Sequence, residues 1–522
     1  MQDDLGNART GSLREVFRVA FPLIISSGTF AIKLFSDRLM MAWHSDISIA
    51  AAIAAGMAAF MLISFFMGVA AYANAFVAQY SGAERHDRTG LSVWQSMLFS
   101  LVAGLMITLV GGPLGDFFAD IGHEPKLAAM ERGYFHVLTC GAAFSLLNSS
   151  IMCFWTGRNK TWTVVAVSGT SIILNVVGNW VLIFGSQGSQ HLSTYPEPFK
   201  ALGHGLNYLA SLTDVASGGV VGAGIATIST DALSVLAFLI LFFLPHNRKE
   251  FGTRPKRIFD FPLMKRMIRY GFGNGMQMLL DIGAFAVFNI LMGMYAITEM
   301  GGNIAAASGI AISVNGVAFV PMLGVGAAAS ILVGQGIGAR DVNFAVRAVK
   351  NAWILIMTYM VCMCLLFEVF PEFLVSIFAP KGHMNPATAT MAVSFLRYAG
   401  IFCIADGFFI LYGNAIRGAG DTKFSMWAMG IIGWCFFAIP CLVSYKLGAG
   451  PFFLWKIIVF SAIASAAIFF WRYRQGKWKH MKVIEETGSQ RRQVNKSSVR
   501  ILPVVTPESE LAVLEEPDEE TL

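Results

Sequence analysis

Five acidic residues stand out inside long apolar stretches of this sequence: Asp37, Asp231, Asp281, Glu368 and Asp406. An ionised side chain is costly in an apolar medium unless it is paired or hydrated, so each acid kept there is a candidate for ion binding or proton exchange. At a helical rise of about 1.5 Å per residue, Asp281 lies about 20 Å into its stretch and Asp406 about 15 Å from the end of its own, which predicts that both approach mid-depth. Two carboxylates that share a low-dielectric site repel one another, and one proton or one monovalent cation relieves the repulsion. Asp37 offers a second centre. Asn175 and Asn179 are four residues apart and share a helical face, and a carboxylate with two amides can hold sodium through oxygens or exchange hydrogen bonds when protonated. Lys33, one turn before Asp37, is expected to neutralise it as an i,i+4 pair. Asp231 reads as lining a hydrated cavity or packing a helix. Glu368, close to Pro371, reads as facing water outside.

The elements that carry these acids are membrane helices. Hydrophobic residues make up 55% of the 522 and charged ones only 13%, against roughly 25% charged in soluble domains, and mean hydropathy is +0.61. A span needs about 20 mostly apolar residues. Twelve stretches qualify, near 16–42, 49–80, 91–115, 128–156, 162–185, 219–244, 268–297, 304–338, 345–379, 391–416, 424–447 and 452–474. Most of the 38 Lys and Arg fall in the tails and in the loops on one side, with Lys126, Lys200, Lys381 and Lys446 in loops on the other. The positive-inside rule therefore places both termini in the cytoplasm of a multi-pass protein of the cell membrane. No cleavable signal pattern precedes the first stretch, which is expected to act as the insertion signal. The seven cysteines have neither metal-ligand spacing nor an extracellular pairing pattern and read as packing residues.

Residues 68–83 (GVAAYANAFVAQYSGA) and 324–339 (GVGAAASILVGQGIGA) agree at eight of sixteen positions, including Gln79 with Gln335. The same offset brings Pro113 close to Pro371 and TGRNKT (156–161) close to RGAGDT (417–422). This is a duplication of six helices plus six. An even number preserves orientation, so the two halves are related about the membrane normal, with a cleft between them suited to alternating access. The expected division is a cytoplasmic tail (1–15), an N-terminal lobe (16–245), a basic linker (246–267), a C-terminal lobe (268–475) and a disordered cytoplasmic tail (476–522). Gln79 and Gln335 sit where an amide can bond a neighbouring helix end and read as structural.

FSDRLMMAW, VAQYSGA, VGQGIGA, LNVVGNWVLIFG and AIRGAGDTK, in this order and spacing, resemble the multidrug and toxic compound extrusion (MATE) transporters over about residues 15 to 475. The resemblance implies an all-α membrane protein of twelve transmembrane helices in two pseudo-symmetric six-helix lobes. It implies export of organic cations or toxic compounds driven by inward sodium or proton flow. LLDIGAF and IADGFFILYGNAIRG resemble the NorM branch, where acids on helices 7 and 10 form a cation site, here Asp281 and Asp406. That branch more often has Glu on helix 7, and Tyr where Phe402 keeps an aromatic face but no hydroxyl ligand. The resemblance also implies an N-terminal-lobe site at Asp37, Asn175 and Asn179, with Asp often in place of Asn179, and with Thr227 able to add a hydroxyl. Phe402, Tyr412, Trp155 and Thr227 are expected at the substrate cleft, where rings and flexible thioethers repack around varied cations.

There is no GxxxxGK[ST], HExxH or GxSxG, so neither an ATP-driven pump nor a hydrolase is supported. GVGAAA at 324 lies in an apolar helix with no preceding strand and is not a dinucleotide fingerprint. No basic stripe interleaved with aromatics points to nucleic acid. The expectation is a monomeric secondary antiporter that uses no cofactor and no metal beyond Na+ as one possible coupling ion. A flippase for lipid-linked precursors needs a basic cavity, whereas the charges inside the apolar stretches are mostly acidic; a membrane enzyme or receptor has no reason for the repeat.

Overall fold

The computed structural model describes residues 10–119, 124–194, 196–213, 215–295, 303–378 and 385–485. Among these the chain is helical, with no strand. The long helices are α1 (Leu13–His44), α2 (Ile47–Gly82), α3 (His86–Ala119), α4 (Pro125–Cys140 with Ala142–Thr156), α5 (Thr161–Phe184) and α6 (Gly219–Phe242). The second set is α7 (Phe261–Met294), α8 (Ile304–Gly338), α9 (Val342–Val369), α10 (Pro386–Ala419), α11 (Thr422–Lys446) and α12 (Pro451–Arg474). Eleven are long and apolar enough to cross a membrane, and α4, bent by 41° at Gly141, makes twelve when its two parts count as one span.

Local sequence sets where helices begin. Ser12, Asp260, Asn303, Asp341 and Asn385 cap α1, α7, α8, α9 and α10 with side-chain oxygens that accept first-turn N–H groups, and Pro stands in the first turn of α7, α10 and α12. The Asp260 cap starts α7 at Phe261, so the linker is shorter than the 246–267 read from charge. It holds a short helix, Pro245–Phe251, and an extended stretch tied to α3: Trp94 donates to the Thr253 carbonyl at 2.8 Å, Gln95 to that of Ile258 at 2.6 Å, and Arg88 pairs with Asp260 at 2.7 Å. The segment expected to begin a disordered tail is packed as far as Val483, which is buried with Trp478; residues 486–522 lie outside the described residues. Pro22 lies within the unbroken α1.

The duplication is visible in the packing. Within the first six helices α2 packs on α4, α1 on α5, α3 on α4 and α4 on α6; among the last six α8 packs on α10, α7 on α11, α9 on α10 and α10 on α12. Between the halves the same symmetry holds, α1 against α8 and α2 against α7, with α2 meeting α8 on the axis. These meetings concentrate toward the basic end of the bundle, where α1 begins and α12 ends. A Cβ on Gly82 would stand 2.0 Å from the Gln335 carbonyl oxygen, and one on Gly338 2.0 Å from that of Gln79, so only glycine permits the approach. Nearer mid-depth, Gly68 and Gly275 touch backbone to backbone, and Asn274 donates to the Gly68 carbonyl at 2.7 Å.

Gly82→Val or Gly338→Val is expected to force the two helix ends apart and destabilise the protein by ~1–3 kcal/mol, as overpacking does. Thermal melting of the purified variants checks this, and wild-type melting temperatures in both would contradict the close approach.

Candidate functional site

Four of the residues singled out in the sequence meet in the N-terminal half. Asn175 and Asn179 extend from one face of α5, Asp37 reaches in from α1 and Thr227 from α6; α5 packs on both of those helices. Asn179 Nδ2 donates to one Asp37 carboxylate oxygen, and Thr227 Oγ1 donates to the other at 3.3 Å. Asn179 Nδ2 also reaches Asn175 Oδ1 at 3.2 Å, and Asn175 Nδ2 closes the circuit to Thr227 Oγ1 at 3.5 Å. Asp37 is only 6% exposed and both asparagines are fully buried. One oxygen is left over, because Asn179 Oδ1 is buried without a hydrogen-bond partner. A buried acceptor of this kind is uncommon. It gives the ring capacity for one more donor or for a cation.

Lys33 does not take the role that its spacing suggested. Its ammonium reaches across to α6, 3.0 Å from Asp231 and 3.3 Å from Thr230 Oγ1, while Ser145 Oγ donates to the other Asp231 oxygen. The physical reason is that Asp37 already has its two donors, whereas Asp231 needs a counter-charge in a region where Lys33 and Asp231 side chains are each 14% exposed. Asp231 therefore packs α6 against α1 through an ion pair, the helix-packing alternative, with a partner that one sequence does not reveal. Glu368 is exposed beside Gly400.

In the C-terminal half, Asp281 and Asp406 are carried on α7 and α10. Their helices share no extensive interface, since α7 is drawn to α2 and α11 while α10 is enclosed by α8, α9 and α12. Each acid has its own surroundings. One carboxylate oxygen of Asp281 is buried with no hydrogen-bond partner, and so is Oε1 of Gln277, one turn earlier on the same face. Asp406 makes no hydrogen bond among the described residues; one turn before it the Cys403 thiol donates to Asn315 Oδ1 of α8 at 3.0 Å. The i,i+4 spacing of Gln277 and Asp281 was readable in the sequence, but the unpartnered oxygens of both were not.

Three residues expected at a cleft belong to the cores instead. Phe402 packs on Trp455 of α12 with centroids 6.5 Å apart, Tyr412 lies 4.8 Å from Tyr473, and Trp155 lies 4.9 Å from Phe238 of α6. All three are at least nine-tenths buried, because rings on helices with several neighbours bury most area by turning inward. Thr227, the fourth, belongs to the Asp37 ring.

Twelve helices in two like halves, with acids held inside each, define a polytopic transporter architecture. The MatE family model matches residues 22–181 and 275–443, one block in each half, and the chain belongs to that family. A "Probable multidrug resistance protein NorM" of Bradyrhizobium diazoefficiens is 26% identical over 472 residues, 88% of this chain and 92% of the relative. The "Multidrug resistance protein NorM" of Vibrio cholerae is 24% identical over 463 residues, 86% and 93% of the two chains. Among solved structures, a eukaryotic MATE transporter superposes with a TM-score of 0.74 at 16% identity, covering 93% of this chain and 98% of its own. An outward-facing MATE family transporter gives 0.73 at 18% identity, covering 90% and 97%.

Lys33→Met leaves Asp231 charged without its counter-charge, and is expected to destabilise the protein by about 3–5 kcal/mol, whereas Lys33→Met with Asp231→Leu removes both charges and recovers most of that loss. Melting of the two variants checks this. An equal loss in both would show that the ion pair is not what the single substitution breaks.

Proposed function

We propose that the protein is a secondary antiporter that exports organic cations, drugs or toxic metabolites in exchange for Na+ or H+ by alternating access. The observation that carries the reading is the buried Asp37 ring with its unsatisfied Asn179 oxygen, a carboxylate site with one acceptor to spare for a small positive ligand. With Asp37 ionised, its two oxygens accept from Asn179 and Thr227. A proton on Asp37 converts one acceptor into a donor, and the spare amide oxygen is the acceptor it needs once the amide turns over. A sodium ion would use that oxygen together with the carboxylate. The C-terminal half repeats the motif in chemical terms, because Asp281 and Gln277 each hold an unpartnered oxygen, and Asp406 supplies a third carboxylate.

In this cycle a cation arriving from outside lowers the charge of these sites and favours the state that releases substrate outward. Substrate binding from inside favours cation release inward. The distribution of Lys and Arg supports a basic end in the cytoplasm of the plasma membrane with both termini there, and a monomer suffices because both sites lie within one chain. The names of the NorM relatives support multidrug substrates. A flippase for pyrophosphate-linked lipids is less well supported, since Lys33 is already engaged with Asp231.

Asp281→Asn or Asp406→Asn is expected to abolish export of a cationic dye from energised vesicles, with insertion into the membrane unchanged. Undiminished export in both would sink the coupling role. Asp37→Asn keeps the shape of the ring but removes its charge, and is expected to make the remaining export insensitive to the coupling gradient, read by comparing dye flux under a sodium gradient with flux under a proton gradient alone.

A further inference from the structure

Gln79 and Gln335 occupy equivalent places on α2 and α8, both are essentially fully buried, and each sends its amide into the opposite half. Gln335 Nε2 donates to the Gly157 carbonyl at 2.9 Å, at the basic end of α4. Gln79 Nε2 donates to the carbonyls of Gly418 and Ala419 at 3.1 and 3.2 Å, at the basic end of α10. Gly157 and Gly418 correspond in the two copies TGRNKT and RGAGDT. The donor half of each amide thus obeys the pseudo-two-fold.

The acceptor half does not. Gln335 Oε1 accepts from Asn159 Nδ2 at 2.9 Å, a side chain of the same loop. The residue that corresponds to Asn159 in the second copy is Gly420, which has no side chain to offer. Gln79 Oε1 accepts instead from the backbone N–H of Val483 at 2.9 Å. Val483 fills the space that a side chain on Gly420 would use, since a Cβ there would come within 3.0 Å of Val483 Cγ1. The segment that delivers this N–H runs back from α12 under the bundle. Trp478 stacks on Tyr473 at 5.1 Å and donates to its carbonyl at 3.0 Å, and the Tyr270 hydroxyl of α7 donates to the Lys482 carbonyl at 3.3 Å.

We propose that Gln79 and Gln335 form a paired lock that holds the basic ends of the two halves together, and that residues 477–483 are a strap completing the Gln79 side. The strap is carried by the second half, through α12, Tyr270 and Gly420, yet its terminal hydrogen bond goes to the first half. Separation of the halves at this end must break that bond along with the two glutamine contacts. The lock gives the chain one detachable element at its gate, where the other side of the same lock is built into the α4 to α5 loop. This rests on the antiporter reading only for the reason the gate must open.

The test measures gate opening without substrate or ion gradient, so its outcome is independent of whether the protein is an antiporter. Spin labels at Asp87 on α3 and Asn343 on α9, in a background with the seven native cysteines replaced, report the distance between the halves at the basic end. Val483→Pro removes the strap's N–H donor, with Val483→Ala, which keeps the N–H and trims the side chain, as its control, and Gln79→Leu removes the amide. The separated population is expected to rise by roughly two- to tenfold with Val483→Pro, the range of one net hydrogen bond, and further with Gln79→Leu. Asn159→Gly, which leaves Gln335 Oε1 without its donor, is expected to match Val483→Pro. Unchanged distance distributions in folded Val483→Pro and Gln79→Leu proteins, with folding checked by melting, would overturn the lock. A change with Gln79→Leu but none with Val483→Pro or with a chain ended at Gly476 would overturn the role of the strap.

Discussion

A polar group buried in a membrane-thick helix bundle has no water to fall back on, so each must find a partner inside the protein or stand out as unsatisfied. This constraint orders the structure. It draws Lys33 to Asp231 rather than to Asp37, closes Asp37, Asn175, Asn179 and Thr227 into a ring, and sends the two buried glutamines across the interface to carbonyls at helix ends. Among the buried side-chain atoms left without a partner are three acceptors that belong to or adjoin a carboxylate: Asn179 Oδ1, Gln277 Oε1 and one oxygen of Asp281. Acceptors without donors next to acids are what a site for a proton or small cation requires, and they distinguish these places from the satisfied Lys33–Asp231 pair.

The same constraint links the sites to the movement proposed for them. The halves meet through α1, α2, α7 and α8, and Asp37 and Asp281 ride on two of those four helices, α1 and α7. A change of charge at either acid therefore acts on a helix that also forms the interface. Gly82 and Gly338 bring the helix ends within backbone contact at the basic end, so that contact is a packed state that is either made or lost.

Much of the fold was legible because bilayer thickness imposes a length on apolar runs and because the copy around Gln79 and Gln335 is close. The Asp37 ring was legible for a similar reason: the i,i+4 asparagines declare a shared face, and the family pattern supplies the acid. What escaped were relations between helices. Hydropathy gives depth along a helix but neither rotation about it nor its neighbours, so the separate packing of α7 and α10, which carry Asp281 and Asp406, was not legible. Lys33 was assigned to its nearest acid in sequence, while space offered Asp231 a stronger need. Phe402, Tyr412 and Trp155 carry the same ambiguity, since an aromatic side chain on a many-neighboured helix serves a core as well as a cleft. The composition of the 476–483 stretch is polar and basic, yet Trp478 and Val483 anchor it.

The central claim is that movement of a small cation drives movement of the substrate. Purified protein in proteoliposomes without ATP, given an organic cation at equal concentration on both sides and an imposed sodium or proton gradient, tests it directly. Coupled exchange predicts that one of the two gradients drives the organic cation uphill, and that an organic-cation gradient imposed alone moves the same ion in the opposite direction. Movement of the organic cation only down its own gradient, at one rate with or without either ion gradient, would contradict the account.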